Sequence, residues 1–192
     1  MSSDDPILEF HKAVARAEAA GDDPAPMALA TSDNDRRPSV RIVLLRGADA
    51  RGFVFYTNYG SRKAHELVAN PRAALCLHWP RADEQVRIEG TVERLPDKES
   101  DAYFASRPRG HQLGAWASEQ SAELASREEL ERRYADVERR FDGRGVSRPP
   151  YWGGYRVVAE RIEFWRGRPD RLHDRIVYVR DAESWRRSRL CP

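Results

Sequence analysis

The chain has 192 residues, 40% of them hydrophobic and 33% charged, which suffices for one packed core and is too apolar for a disordered polymer. No apolar run approaches the ~18 residues of a membrane helix. Met1–Glu9, with Asp4, Asp5 and Glu9, lacks the basic start and apolar stretch of a secretory leader. A formal net charge of +2 gives no field that favours nucleic acid, and Cys76 and Cys191 are too few for a disulfide framework or a thiolate zinc site. The expectation is a single cytoplasmic domain over residues 1–192, with an N-terminal helix in 1–22 and closing strands in 150–192.

Pro6 to Ala20 carries Ile7, Leu8, Phe10, Val14 and Ala17 among charges, the spacing of an amphipathic helix that ends at Gly21-Asp22-Asp23-Pro24. The period then changes. Met27–Thr31, Ser39–Arg46 and Gly52–Asn58 are β-branched or aromatic and predict strands. Asp33-Asn34-Asp35 and Gly47-Ala48-Asp49 between them have hairpin or loop chemistry. A helix over Ser61–Leu67, capped by Ser61 and stopped by Asn70-Pro71, precedes a fourth strand that ends near Trp79 and places Cys76 in a buried run.

Gln85–Leu95 alternates, with Val86, Ile88 and Val92 on one face and Gly90 marking a bulge or close approach. Pro96-Asp97 opens a helix that breaks at Arg107-Pro108-Arg109-Gly110. Ser126 and Glu129 form a capping box for a helix reaching Phe141. Tyr155–Trp165 and Arg175–Val179 predict two last strands. This order lacks the βαβ alternation of a dinucleotide fold, and no glycine-rich phosphate loop occurs. It predicts a mainly β, α+β architecture: an antiparallel barrel with helices packed outside.

Three clusters carry chemistry. Arg41–Arg46, Tyr56-Thr57 and the Ser61-Arg62-Lys63 helix start converge if the strands pair, and free helix N–H groups beside Arg and Lys suit a phosphate. Ser-Arg-Lys at a helix start also reads as a solvated cap. Tyr103, Arg107, Arg109, His111, Gln112, Trp116, Gln120 and Ser121 crowd a helix break, as a ligand contact or a surface connection. Arg171, His173 and Arg175 alternate; on a strand they share a face, and two guanidiniums beside an imidazole call for an anion. Asp174 faces the other way as a structural group. The histidines show no metal-ligand spacing, so no metal is expected. Three of the 33 basic residues are lysine (Lys12, Lys63 and Lys98), so 30 are arginine. Most read as solvated faces interleaved with acids, as in Arg127–Arg140, which argues against a nucleic-acid surface.

Several motifs in order resemble the pyridoxamine 5′-phosphate oxidase family. They are Arg41-Ile-Val-Leu-Leu-Arg46, Phe55-Tyr-Thr-Asn58 with Gly60-Ser-Arg-Lys63, and Ser106-Arg-Pro-Arg109 leading to Gly114-Ala-Trp116 and Gln120-Ser121. Trp152-Gly-Gly154, Ile162-Glu-Phe-Trp165, Arg171-Leu-His-Asp-Arg175 and Arg189-Leu-Cys-Pro192 complete the set, from about Asp5 to the end. The resemblance implies an FMN-binding split β-barrel of Greek-key type, active as a homodimer with FMN at the interface. It implies oxidation of pyridoxamine or pyridoxine 5′-phosphate to pyridoxal 5′-phosphate, with hydride transfer to flavin N5 and O2 reduced to H2O2.

It also implies roles. Arg41, Ile42, Val43, Leu44, Leu45, Arg46, Tyr56 and Thr57 lie along the flavin, and Arg62 and Lys63 clamp its phosphate. Gln85 reaches FMN from the partner subunit, and Gln120, Ser121, Trp165 and Arg175 add contacts. Tyr103 and Arg107, with Arg46 and His111, make the substrate phosphate site. Arg171 and His173 are the catalytic pair holding the pyridine ring over the flavin. Arg46 stands where the family has Lys and His111 where it has Ser. The first helix starts so early that the family's substrate-covering arm is expected to be absent. These departures leave two other expectations open: a split-barrel flavin oxidase of the phenazine-biosynthesis type, or a non-catalytic FMN- or pyridoxal-phosphate-binding protein.

Overall fold

The computed structural model describes residues 5–192; residues 1–4, with the start of the 1–22 segment and part of the leader and arm expectations, lie outside the described residues. Helix α1 (Pro6–Ala20) has the expected bounds. The Asp5 carboxylate accepts from the Ile7 and Leu8 N–H groups, Pro6 opens the first turn, and Gly21 ends the helix in the left-handed region at φ 86°. Its buried face, Phe10, Ala13 and Ala17, enters the core, where Phe10 meets Phe53 edge-on at 5.0 Å. No described helix is long and apolar enough to cross a membrane.

Strands β1 (Pro26–Ser32), β2 (Pro38–Leu44), β3 (Gly47–Asp49) and β4 (Gly52–Asn58) precede α2 (Arg62–Ala69). Next come β5 (Arg72–Trp79), β6 (Glu84–Arg94), α3 (Asp97–Ser106), α4 (Arg109–Ala117), α5 (Arg127–Arg140), β7 (Trp152–Arg166), β8 (Asp174–Asp181) and β9 (Ser184–Arg189). All pairings are antiparallel, in the order β2-β1-β5-β6-β7-β4-β3, with β8 and β9 branching from β7. The branch comes from the length of β7: Trp152–Val157 pairs with β4, and Arg161–Arg166 pairs with β8. The fold is the expected mainly β split barrel with helices outside.

Four local expectations change. Gly47-Ala48-Asp49 is strand β3, not a loop, because it pairs with Gly52–Val54. Helix α4 occupies the expected break: Pro108 ends α3 and stands at the start of α4. Gly110 and Gly114 lower its helix propensity, so burial of Gln112, Leu113 and Ala117 must hold it. Strand β9 is almost wholly polar and is recruited by pairing with β8. The run around Cys76 is strand β5, but Cys76 lies on its half-exposed face.

Gly90 sits at the register shift between Glu89 and Gly90. A Cβ there would lie 2.0 Å from the Val158 carbonyl oxygen. Gly90→Ala is expected to destabilise the protein by about 2 kcal/mol or more, because backbone must move. A fall in the urea midpoint at unchanged slope checks it; an unchanged midpoint refutes the close approach.

Candidate active site

A cavity of about 1230 Å³ lies between β2, β4, the start of α2, the α3–α4 junction and the first residue of β7. Hairpin pairing brings β2 to one wall, with Arg41, Ile42, Val43 and Leu44. Strand β4 supplies Tyr56 and Thr57 to the opposite wall, and Arg62 and Lys63 stand at the start of α2. Arg46, Tyr103, Arg107, His111, Gln120 and Ser121 complete the expected residues that meet there. Ser39, Asn58 and Trp152 also line it, and motif reading had assigned them nothing. Ser39 was within reach of the sequence, since alternation on β2 puts it on the same face as Arg41 and Val43.

One end holds a buried amine. Lys63 is 8% exposed, and its Nζ donates to Thr57 Oγ1 at 3.0 Å, Ser61 Oγ at 3.1 Å and Gln120 Oε1 at 3.0 Å. These acceptors are all neutral. Burial, with the nearby Arg41 charge, pulls the amine down to about 8, against a weaker upward pull from Glu66. Ser61 occupies the cap position of α2, yet its hydroxyl does not cap: it donates to the Asn58 carbonyl at 2.7 Å. The expected Ser61 cap is thereby corrected, because Ser61 serves the lysine and the preceding turn instead.

Beside the lysine, Glu66 is 4% exposed and organises two arginines. It accepts from Thr31 Oγ1 (2.5 Å), Ser39 Oγ (2.6 Å), Arg62 Nε (2.8 Å) and Arg41 Nη2 (3.2 Å). Burial alone would raise this carboxyl; those donors outweigh it and hold it at about 2. Arg41 also donates to the Leu29 carbonyl, Thr31 and Ser39, so its two Nη groups serve the frame. Arg62 gives its Nε to Glu66, with its side chain 64% exposed beyond.

The other end is aromatic and cationic. Tyr56 and Tyr103 stack at 3.9 Å and 14°, and Trp152 lies parallel at 5.5 Å from Tyr56. The Arg107 guanidinium sits 4.6 Å over the Trp152 ring. Its buried Nη1 has no hydrogen-bond partner. Burial lowers the Arg107 pKa, and the Arg46 charge adds to that, with Tyr103 opposing. Two guanidiniums drawn together without a carboxylate define a place for an anion.

The remaining expected residues lie elsewhere. Leu45 packs half-buried against the core. Gln85, Trp165 and Arg175 form one lateral row across β6, β7 and β8, at the end of β7 far from Trp152. Arg171 belongs to a one-turn 3-10 helix at φ 59°, and β8 begins only at Asp174. Arg171, His173 and Arg175 therefore do not share a strand face. Arg175 has an anionic partner already, Glu163 at 2.8 Å, a carboxylate 2% exposed. His173 lies 4.6 Å from the Trp165 ring and accepts from the Arg168 N–H at 3.2 Å. Asp174 forms ion pairs with Arg168 and Arg189. Among the described residues, no group of three or more His, Cys, Asp or Glu is placed to hold a metal ion.

A nine-stranded antiparallel sheet branching at one long strand, with a cationic cavity at the start of that strand, is the architecture of split-barrel proteins. A structure with TM-score 0.78 and 19% identity, covering 100% of both chains, is a pyridoxamine 5′-phosphate oxidase-related, FMN binding protein from Nostoc punctiforme, and it shows the shared fold. Residues 14–141 match the family described as pyridoxamine 5′-phosphate oxidase, and residues 152–192 match the pyridoxine 5′-phosphate oxidase C-terminal dimerisation region. A pyridoxine/pyridoxamine 5′-phosphate oxidase of Rubrobacter xylanophilus is 61% identical over 189 residues, covering 98% of this chain and 87% of the relative. PhzG from Burkholderia lata, solved with tetrahydrophenazine-1-carboxylic acid, is 34% identical at TM-score 0.94, covering 98% of this chain and 93% of that one. The chain belongs to the pyridoxamine 5′-phosphate oxidase family.

The Lys63 amine has a testable sign. Its folded pKa of about 8 lies below the ordinary 10.5, so between those values the unfolded chain holds more proton and stability rises with pH. From pH 7 to 10, the ligand-free protein should gain about 2 kcal/mol relative to Lys63→Met. Denaturant titrations of both proteins at the two pH values check it; parallel pH dependences would refute it.

Proposed function

We propose that this protein oxidises pyridoxamine or pyridoxine 5′-phosphate to pyridoxal 5′-phosphate with FMN as cofactor and O2 as acceptor. One observation carries the proposal: a single cavity has cations without carboxylate partners at both ends, the buried Lys63 at one and, at the other, the half-buried Arg107 with its enclosed, unpartnered Nη1. A phosphorylated cofactor and a phosphorylated substrate together supply the two missing anions. FMN, bound there, supplies the hydride acceptor and the route for electrons to O2, giving H2O2.

Lys63, Arg62 and the α2 N–H groups hold the cofactor phosphate. Arg41, Ile42, Val43, Leu44, Arg46, Tyr56, Thr57, Gln120 and Ser121 hold its length. Tyr103, Arg107, Arg46 and His111 hold the substrate phosphate. Arg171 and His173 orient the pyridine ring so that C4′ faces the flavin. A homodimer accounts for their distance from the cavity: Gln85, Trp165, Arg171, His173 and Arg175 of one copy serve the cavity of the other. Strand β2 supports this, since Val40 (69% exposed), Ile42 (66%) and Leu44 (42%) leave an apolar face that needs cover. We place this single-domain homodimer in the cytoplasm.

Anaerobic mixing of FMN-loaded protein with pyridoxamine 5′-phosphate tests the activity. The flavin absorbance should bleach, pyridoxal 5′-phosphate should form, and air should restore the colour. An unchanged spectrum at saturating substrate would refute the activity and leave a binding protein or another substrate. His173→Ala should keep FMN and slow turnover about 100-fold, because it loses orientation; a colourless variant would show the residue to be misplaced. Lys63→Ala should do the opposite, weakening FMN about 10- to 100-fold by removing charge-assisted donors.

A further inference from the structure

We propose that Trp152 is the positioning residue of the phosphate-recognition end, carrying Arg107 and Tyr103 on its indole. The proposal rests on the assignment of Arg107 to the substrate phosphate.

Trp152 is fixed from behind. It is 7% exposed and is the first residue of β7, paired with Asn58. Its N–H donates to the Pro149 carbonyl at 3.1 Å, and its carbonyl accepts from Arg148 Nη1 at 2.6 Å. Arg148 in turn holds Asp97 and Asp101 of α3 at 2.7 and 2.6 Å. One arginine thus ties the start of β7 to the helix that carries Tyr103 and ends at Arg107.

On the cavity side, the ring is a platform. Tyr103 lies parallel to it, 6.2 Å away and 6° tilted, with Tyr56 stacked alongside. Phe104 abuts it edge-on at 5.2 Å. Arg107 rests over it at 4.6 Å and has an unpartnered buried Nη1. A guanidinium with no carboxylate to hold it must be placed by something else, and an indole face is the best aromatic for this. The arrangement lets Arg107 stay half-buried and oriented while its N–H groups remain for the ligand. A carboxylate in that role would compete with phosphate; an aromatic face does not. The indole therefore governs affinity for the phosphate.

The test compares Trp152→Leu, Trp152→Phe, Arg107→Ala and the Trp152→Leu/Arg107→Ala double variant, each loaded with FMN. Two readouts are used: steady-state kinetics with pyridoxamine 5′-phosphate, and binding of inorganic phosphate followed by flavin fluorescence. Trp152→Leu should raise KM and weaken phosphate binding about tenfold while kcat stays within about twofold. Trp152→Phe, which keeps an aromatic face and is the milder change for folding, should recover most of the loss. The double variant should be no worse than Arg107→Ala, because both act through one group. Equal losses in kcat and KM, no recovery by phenylalanine, or additive losses would overturn the positioning role. If Arg107→Ala itself leaves phosphate binding unchanged, the phosphate assignment falls, and the proposal with it.

Discussion

The double pairing of β7 is the constraint on which the rest of the structure depends. A strand of 15 residues cannot stay flat beside the 7-residue β4 and the 8-residue β8. Each neighbour takes one half, and β6 runs along both. The extra residue at this shift is Glu160 on β7, unpaired opposite the Glu89–Gly90 step of β6, and it lets the long strand bend. Trp152 consequently opens one half beside the cavity, while Glu163 and Trp165 lie in the other. The separation of the two residue sets is thus a property of one strand.

Electrostatics inside the cavity follow a simple division. Carboxylates that appear near it are spent on holding arginines, as Glu66 does for Arg41 and Arg62. Glu163 does the same for Arg175 on the other half of β7. Lys63 and Arg107 are left to neutral oxygens and ring faces. Burying them in that state is costly, and the pKa of each falls accordingly. An arriving phosphate relieves both burdens, so the energy held in the empty frame becomes affinity for anions.

How much of this was legible in the sequence varied with the cause. Helix α1 was readable to the residue because cap, period and glycine stop agree locally. Gly90 was readable because an isolated glycine in an alternating strand has few other meanings. Helix α4 was hidden, since its glycines and proline argue against a helix and only tertiary burial holds it. The alternation of Arg171, His173 and Arg175 misled, because a left-handed turn at Asp170 and Arg171 interrupts the extended chain. The ordered motifs located the cavity residues through the family resemblance. They did not give the work of Glu66, whose role depends on donors from β1, β2 and α2 meeting at one point.

The scarcity of lysine has its own consequence. Lys12 and Lys98 lie on the exposed surface, and Lys63 is enclosed with an amine near 8. An amine-directed acylating reagent therefore meets only three ε-amino groups, of which one is unusually nucleophilic near neutrality and opens only to the cavity. Peptide mapping of such a footprint would carry its own two internal standards, and the third position would report occupancy directly.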